Sequence, residues 1–477
     1  MRSTTTRRPK QGHGHRDDKP VPLVKASRGP LALTLLLAAA TVWAAPPPEK
    51  VALTGGQIIP VVGAPISNGT VLIERGKITA VGTDVEVPYD ARVFDVSGKV
   101  IFPGMINVHT WRGMDISNEN RPVTPQLSAY DAIDPSQLYF EECLRLGITA
   151  VHVIPADNTV IGGLGRVVHP IGLTVGEMTI AEGGFLKLAI TPRRGFDRML
   201  QMATLRETFC ELDDYLEKLA EQRYEEQLKE DEEELTVGPV EARKRGRALI
   251  RAEDLDDQHR NLLRLRGGQV PGADNETLPA ILKPLGAFVY CGNATDIAPA
   301  VQLAKDNGFV DRTVLVLGGE SYKAVGELKR AALPVVLPSD LIYREVERMS
   351  GDIREIFVPR HIYEAGLCFA LVPGSSESFA ERMPNYQAAC CVRAGIPRDE
   401  ALRAITINPA KMLGLEKRLG SIEPGKDADL VIFSGDPLDF SSVVERVFIN
   451  GIPAYDRSTD VRLQRLLSPG LDEEKVE

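Results

Sequence analysis

Gly98-Lys99-Val100-Ile101-Phe102-Pro103-Gly104-Met105-Ile106-Asn107-Val108-His109-Thr110-Trp111 marks the point where this chain changes style. Before Pro103 the sequence reads as short strands joined by tight turns. Val71-Leu72-Ile73 runs into Glu74-Arg75-Gly76-Lys77 and then Ile78-Thr79-Ala80-Val81-Gly82, and Gly76 and Gly98 fall where hairpin turns need a permissive backbone. After Pro103, apolar strands alternate with amphipathic helices. Ala150 to Ile154, Ala287 to Tyr290, Thr313 to Leu317, Leu333 to Leu337 and Leu367 to Val372 are the strand-like runs, and Ile297 to Ala304 is one of the helical stretches between them. That alternation implies a parallel sheet, and at this length a closed barrel. From Gly420 the strand-and-turn style returns in Asp429-Leu430-Val431-Ile432-Phe433 and Val447-Phe448-Ile449-Asn450-Gly451. The expectation is an α/β chain, a (β/α)8 TIM-like barrel with a small composite β-sandwich domain built from both chain ends.

Within the quoted stretch, residues two apart share one side of a strand, so Asn107, His109 and Trp111 point the same way. The stretch resembles the start of the barrel in the amidohydrolase superfamily, especially its imidazolonepropionase-like members. There Pro-Gly-hydrophobic-Ile-Asp-x-His-x-His directs two histidines onto a metal. Ile405-Thr406-Ile407-Asn408-Pro409-Ala410-Lys411-Met412-Leu413-Gly414-Leu415, followed by Gly420-Ser421-Ile422-Glu423-Pro424-Gly425-Lys426-Asp427-Ala428-Asp429-Leu430-Val431, looks like the family's closing helix and its return to the β domain. The two markers bracket the barrel in the right order, and the resemblance covers roughly residues 50 to 455. It implies a hydrolase of non-peptide carbon–nitrogen bonds that uses zinc or a similar divalent metal.

The departures from that pattern fall on the ligands. His109 matches the first histidine, Trp111 stands in place of the second, and Asn107 replaces the usual Asp. The windows expected to hold the fifth-strand histidine, sixth-strand histidine and eighth-strand aspartate read Tyr290-Cys291-Gly292, Leu317 and Gly374. A zinc site needs three or four His, Asp, Glu or Cys donors converging on one point, and Leu and Gly donate nothing. Without metal, water is not made nucleophilic at neutral pH. The sequence therefore predicts no bound metal and a degenerate or absent metal-dependent activity. The alternative is a non-catalytic protein of the same fold that binds a small molecule or supports a partner chain, either a second copy or an active homologue.

His109 is a residual ligand, a general base or a packed relic, and of these it is the only catalytic candidate carried forward. Trp111, His152, Lys187 and Asn158 are the other residues expected at the barrel mouth. His152 reads most simply as a buried, hydrogen-bonded core histidine. Lys187 interrupts the apolar run Phe185 to Ile190, and because an unpaired buried ammonium is costly it is expected to turn outward or snorkel to solvent. In the superfamily a strand lysine can be carboxylated to bridge metals, but the resemblance does not align Lys187 to that role. Asn158 opens the glycine-rich Asn158-Thr159-Val160-Ile161-Gly162-Gly163-Leu164-Gly165, which lacks the endings of phosphate-binding loops and reads as a mouth loop. Ser375, Ser376 and Ser378 lack a nucleophile elbow and read as turn residues.

The remaining segments set compartment and partners. Eight Lys/Arg precede an apolar run from Leu31 to Val42, then Val42-Trp43-Ala44, then Pro46 to Pro48. This is the layout of a signal peptide spanning residues 1–44, with an uncleaved anchor as the alternative because the apolar run is short for a span. Export to the periplasm or outside follows. Loss of eight Lys/Arg and two Asp with the leader takes the formal charge from −10 to −16. That acidity excludes nucleic acid as a partner. The six cysteines show no Cys-x-x-Cys spacing and are expected to be mostly buried free thiols. Met202, Leu205, Phe209, Leu212, Leu216 and Leu219 step by three and four, so residues 195–270 read as a helical insertion. The expected domains are 45–102 with 416–460 as the β domain, 103–415 as the barrel and 461–477 as a tail.

Overall fold

The computed structural model describes residues 50–272, 282–374 and 382–467. The leader and Ser375, Ser376 and Ser378 lie outside those residues. Strands from both ends of the described chain share one eight-stranded sheet. The early members are β1 (Lys50–Ile58), β2 (Ile66–Glu74), β3 (Lys77–Gly82), β4 (Arg92–Asp95) and β5 (Val100–Pro103). β1 pairs with β2, β4 and β5, and β5 hands the ladder on to the three late strands at residues 430–433, 444–449 and 452–456. These strands form one continuous ladder that curls back on itself. Ile78 N–H donates to Lys426 O at 2.9 Å and Gly425 N–H to Ile78 O at 2.7 Å, closing the curl around Leu53, Ile73, Ile101, Leu430 and Phe448. Two tight turns from opposite chain ends meet there. Arg75-Gly76 and Asn450-Gly451 all have positive φ, as two-residue hairpin turns require, and a Cβ on Gly76 would lie 3.2 Å from Asn450 O. Gly98 also has positive φ, yet it makes no hairpin, because β4 and β5 pair one after the other along the same side of β1.

The second body of the structure is mixed α/β. β6 (Met105–Thr110) runs parallel to β7 (Ile148–Val153). Next come β8 (Ile161–Leu164), β9 (Arg166–Val168) and the short β10 (Thr179–Ala181). β11 (Phe185–Ala189), β12 (Gly286–Cys291), β13 (Thr313–Leu317), β14 (Val335–Leu337) and, after an excursion, Phe369–Leu371 form a parallel series. The excursion is the hairpin of β15 (Ile342–Val346) and β16 (Ile353–Phe357), which pair only with each other, and β17 is the Phe369–Leu371 strand. β9 lies antiparallel to β7, and β8 antiparallel to β11, so this glycine-rich segment fills the place between them. The expected mouth loop at residues 158–165 is therefore partly a strand. Its glycines are what permit that, because a Cβ on Gly163 would sit 2.6 Å from Leu127 O. At the far side Leu371 N–H donates to Ala404 O and Ile106 N–H to Ile405 O, each at 3.0 Å. Leu430–Phe433, Val444–Ile449 and Ile452–Asp456, the late strands of the curled sheet, complete the set as β18, β19 and β20.

The helical insertion packs into the main core. Asp197 caps the helix Arg198–Glu230 by accepting from Leu200 N–H at 2.7 Å. Leu205, Phe209, Leu212 and Leu216 are buried and join the cluster that holds Leu255, Leu262 and Leu263. The three-four stripe is thus satisfied within the chain. Fully buried Gln201 fastens the helix to the strands by donating to Ala189 O at 2.8 Å and Thr159 O at 3.0 Å. All six cysteines are free, with Cys143, Cys291 and Cys391 buried and Cys210 and Cys368 exposed. Among the described residues no helix is long and apolar enough to cross a membrane.

Candidate functional site

The carboxyl ends of β6, β7 and β11 bring three ionisable side chains together. β6 carries Asn107 and His109, and the ladder to β7 shifts register between Asn107 and Thr110. Asn107 is buried and donates to Tyr139 OH at 3.0 Å, which makes it a packing residue. His109, two residues on, reaches the strand end and lies 2.7 Å through Nε2 from Lys187 Nζ. Asp157, in the turn after β7, stands 2.5 Å from the same ammonium through Oδ1. The expectation that Lys187 turns to solvent is corrected here, because its side chain is fully buried. Both faces of an inner parallel strand are buried, so an apolar run on either side of a lysine does not say which way it points. Lys187 is tolerated because its ammonium meets a carboxylate, an imidazole and, at 5.6 Å, the ring of Tyr290.

The protonation states follow from this packing. Burial, reinforced by the Lys187 charge, pulls the His109 imidazole down to about 3, so it is neutral and its Nε2 accepts from Lys187. Burial also lowers the Lys187 ammonium from its usual value, while Asp157 pulls the other way. Burial raises the Asp157 carboxyl, but the Lys187 charge, His109 and the Lys187 hydrogen bond together bring it below its usual value. The two partners' shifts thus disagree about the pair. The ionised form governs, because Asp157 keeps 37% of its side chain exposed and water supports its charge.

The other expected residues lie apart from this contact. His152 is fully buried, with Nδ1 2.9 Å from Val108 O, Phe185 and Phe288 around its ring, and its pKa brought down to about 4 chiefly by burial. A Cβ on Gly165 would come within 2.3 Å of its Nε2, so the glycine is what makes room for the ring. Trp111 is exposed beyond the end of β6. Asn158 accepts from Arg194 N–H at 2.6 Å and braces the loop leading to the helical insertion. Tyr290 flanks Lys187, and burial pushes the Cys291 thiol above its usual value. Leu317 and Gly374 are buried. Asp157 was not singled out from sequence, nor was Asp296. Fully buried Asp296 accepts from Thr191 Oγ1 at 2.7 Å and meets Arg198 at 2.6 Å, tying β11, β12 and the insertion together. The signal available for Asp157 was its place just past a parallel strand, where barrel chemistry concentrates. On the far side of β8 lies a cavity of about 260 Å³, whose lining includes Asp115, Ser117, Glu119, Ser128, Asp131 and Gly162.

A divalent metal does not fit this donor set. Among the described residues no group of three or more His, Cys, Asp or Glu side chains converges. The Nε2 of His109 and Oδ1 of Asp157 are 3.7 Å apart and both already face the Lys187 ammonium. A cation at the ~2 Å of a metal–ligand bond would collide with that ammonium in both charge and space.

Parallel strands whose polar residues gather at their carboxyl ends, beside a curled sheet made from both chain ends, define the class, and comparison with known proteins agrees. The sequence pattern described as the amidohydrolase family matches residues 365–453. A solved amidohydrolase from Thermotoga maritima MSB8 superposes with a TM-score of 0.68 at 28% identity, covering 85% of this chain and all of that one. The chain belongs to the amidohydrolase superfamily. Among curated relatives, amidohydrolase tasK of Hapsidospora irregularis is 25% identical over 421 residues, 81% of this chain but 40% of that protein. The imidazolonepropionase of Geobacillus thermodenitrificans is 25% identical over 410 residues, 77% of this chain and 84% of the enzyme. Family members commonly use a divalent metal such as zinc.

Proposed function

We propose that this chain is an exported amidohydrolase-superfamily protein in which metal-dependent hydrolysis of non-peptide carbon–nitrogen bonds is degenerate or absent. Its strands form the family's (β/α)8 barrel over residues 103–415, with one place taken by the antiparallel β8–β9 segment, and residues 45–102 and 416–460 form the β domain. The observation that carries the reading is Lys187, whose Nζ lies 2.7 Å from His109 Nε2 and 2.5 Å from Asp157 Oδ1. The lone pair that would hold a metal or take a proton is engaged by an internal cation. The cluster neutralises itself, and His109 is not left as a free base. The cavity beside β8 supports the other half of the reading, a retained binding site for a small molecule.

Protein purified from a native host's secreted fraction, grown with zinc and manganese, tests both parts. Elemental analysis should find well under one equivalent of metal, and N-terminal sequencing should find a start near Ala45. About one or two tightly held equivalents, lost together with amide or imide hydrolysis in His109→Ala, would identify a working metal enzyme and overturn the reading.

A further inference from the structure

The hairpin of β15 and β16 has an outer face that nothing in the described chain covers. It leaves the carboxyl end of β14 and so stands on the rim where His109 and Asp157 lie. Its inner face is held to the body. Tyr343 OH donates to Glu320 at 2.7 Å, Glu345 pairs with Lys323 at 3.0 Å, and Ile356 is buried. The register puts Arg344 opposite Glu355 and Val346 opposite Ile353 on the outer side, while Phe357, opposite Ile342, packs against the main core. Ile342 is 40% exposed, Val346 58% and Ile353 65%, while Met349 at the tip is 94% exposed. Beside the Val346–Ile353 pair sits the ion pair Arg344 to Glu355 at 3.1 Å, with Ile342 beyond it.

That arrangement is complementary to itself. A two-fold axis lying in the face and parallel to the strands exchanges the left and right strands of the hairpin. It sets Arg344 against Glu355 of the partner subunit and Val346 against Ile353 of the partner subunit. Each charge meets its opposite, and the Val346–Ile353 pair meets its own copy, as a closed isologous contact requires. A two-stranded hairpin with one bare apolar face is of marginal stability in water, and covering that face removes the defect. The exposed charges of Arg344, Arg354 and Glu355 within the two strands oppose open-ended stacking, so a closed pair is favoured over a fibre.

We propose that the outer face of the 342–357 hairpin is the contact through which a second copy of this chain docks, forming a two-fold dimer at the rim of the candidate site. The purified chain should sediment as a dimer in the micromolar range. Val346→Asp and Ile353→Asp should each raise the dimer dissociation constant about tenfold or more with the circular dichroism spectrum unchanged. A pair of variants separates docking from damage to the hairpin. Arg344→Glu and Glu355→Arg each carry like charges on the hairpin and should be monomers alone, and mixing them should yield a one-to-one heterodimer. A monomeric parent chain, a dimer indifferent to these substitutions, or variants that fail to associate on mixing would overturn the proposal.

Discussion

Two buried histidine–carboxylate clusters lie at opposite ends of the same parallel strands, and they carry opposite electrostatics. At the carboxyl ends, His109 and Asp157 share the Lys187 ammonium, and the Asp157 carboxyl sits below its usual range. At the amino ends, His169 Nδ1 lies 3.0 Å from Thr149 O and 3.5 Å from Asp429 Oδ2, in the seam against the curled sheet. Among the described residues no lysine or arginine forms an ion pair with that carboxylate, though the Arg418 charge acts on it. Burial raises the Asp429 carboxyl, and His169 offsets this only in part. The same pair of residue types is thus tuned upward where it joins two bodies and downward where an internal cation was added. In the barrel proposed for these strands, the amino ends would serve stability and the carboxyl ends chemistry. The cation at the carboxyl end is therefore the unusual element, and it is the one to remove first.

Lys187→Ala should have the largest effect. It leaves a cavity in a packed strand and deprives Asp157 and His109 of their common partner, at a cost of about 3 kcal/mol in urea unfolding at pH 7. Lys187→Met keeps the volume and should cost about 1 kcal/mol, since Asp157 is solvated enough to remain charged alone. Equal losses for the two variants would show that the charge, and not the filled space, holds the mouth together.

The next effect is on pH dependence. His109 and His152 are neutral in the fold, at about 3 and about 4, against about 6.5 unfolded. Below pH 6.5 the unfolded chain binds protons that the folded chain does not, so stability must fall as pH falls, until the folded values are passed. By pH 5 each histidine should account for about 2 kcal/mol of that loss. His109→Asn should lower the slope of unfolding free energy against pH by close to one proton between pH 4 and 6. An unchanged slope would mean that His109 is charged in the fold, which would break the contrast with the seam.

Much of this was legible in the sequence, for reasons that can be located. Gly98 to Trp111 gave away the entry to the parallel strands because Pro103-Gly104 separates two runs that are apolar on both faces. Asp429 to Gly451 identified the returning strands by short apolar runs ending in the Asn450-Gly451 turn. The absence of ligand-type residues at Leu317 and Gly374 was plain from composition alone. Other features left no local trace. The direction of Lys187 depends on which face of β11 its neighbours occupy. The strand at Ile161–Leu164 is hidden by glycines that ordinarily mark loops. Asp157 belongs to no motif, and only the meeting of β6, β7 and β11 gives it a role. The hairpin at 342–357 is too charged to stand out as a pair of strands.

The smallest expected effect belongs to the seam, and it tests whether the two clusters truly differ in sign. Asp429 Oδ1 accepts from Asn450 N–H at 3.0 Å, a bond that an asparagine oxygen can also accept, so Asp429→Asn keeps the shape and removes only the charge. Because the folded carboxyl is raised above its ordinary value of 3.8, the ionised form is disfavoured by folding. That penalty is present at neutral pH, shrinks as pH falls through the raised folded value, and vanishes below 3.8, where both states are protonated. Asp429→Asn should therefore leave stability at pH 7 unchanged or raise it by up to about 1 kcal/mol, with a smaller difference at pH 4. Paired urea titrations at the two pH values read this directly. A loss of about 2 kcal/mol at pH 7 that disappears at pH 4 would mean that the seam holds a stabilising ion pair with charged His169. The two ends of the strands would then be alike, and Lys187 would no longer distinguish one from the other.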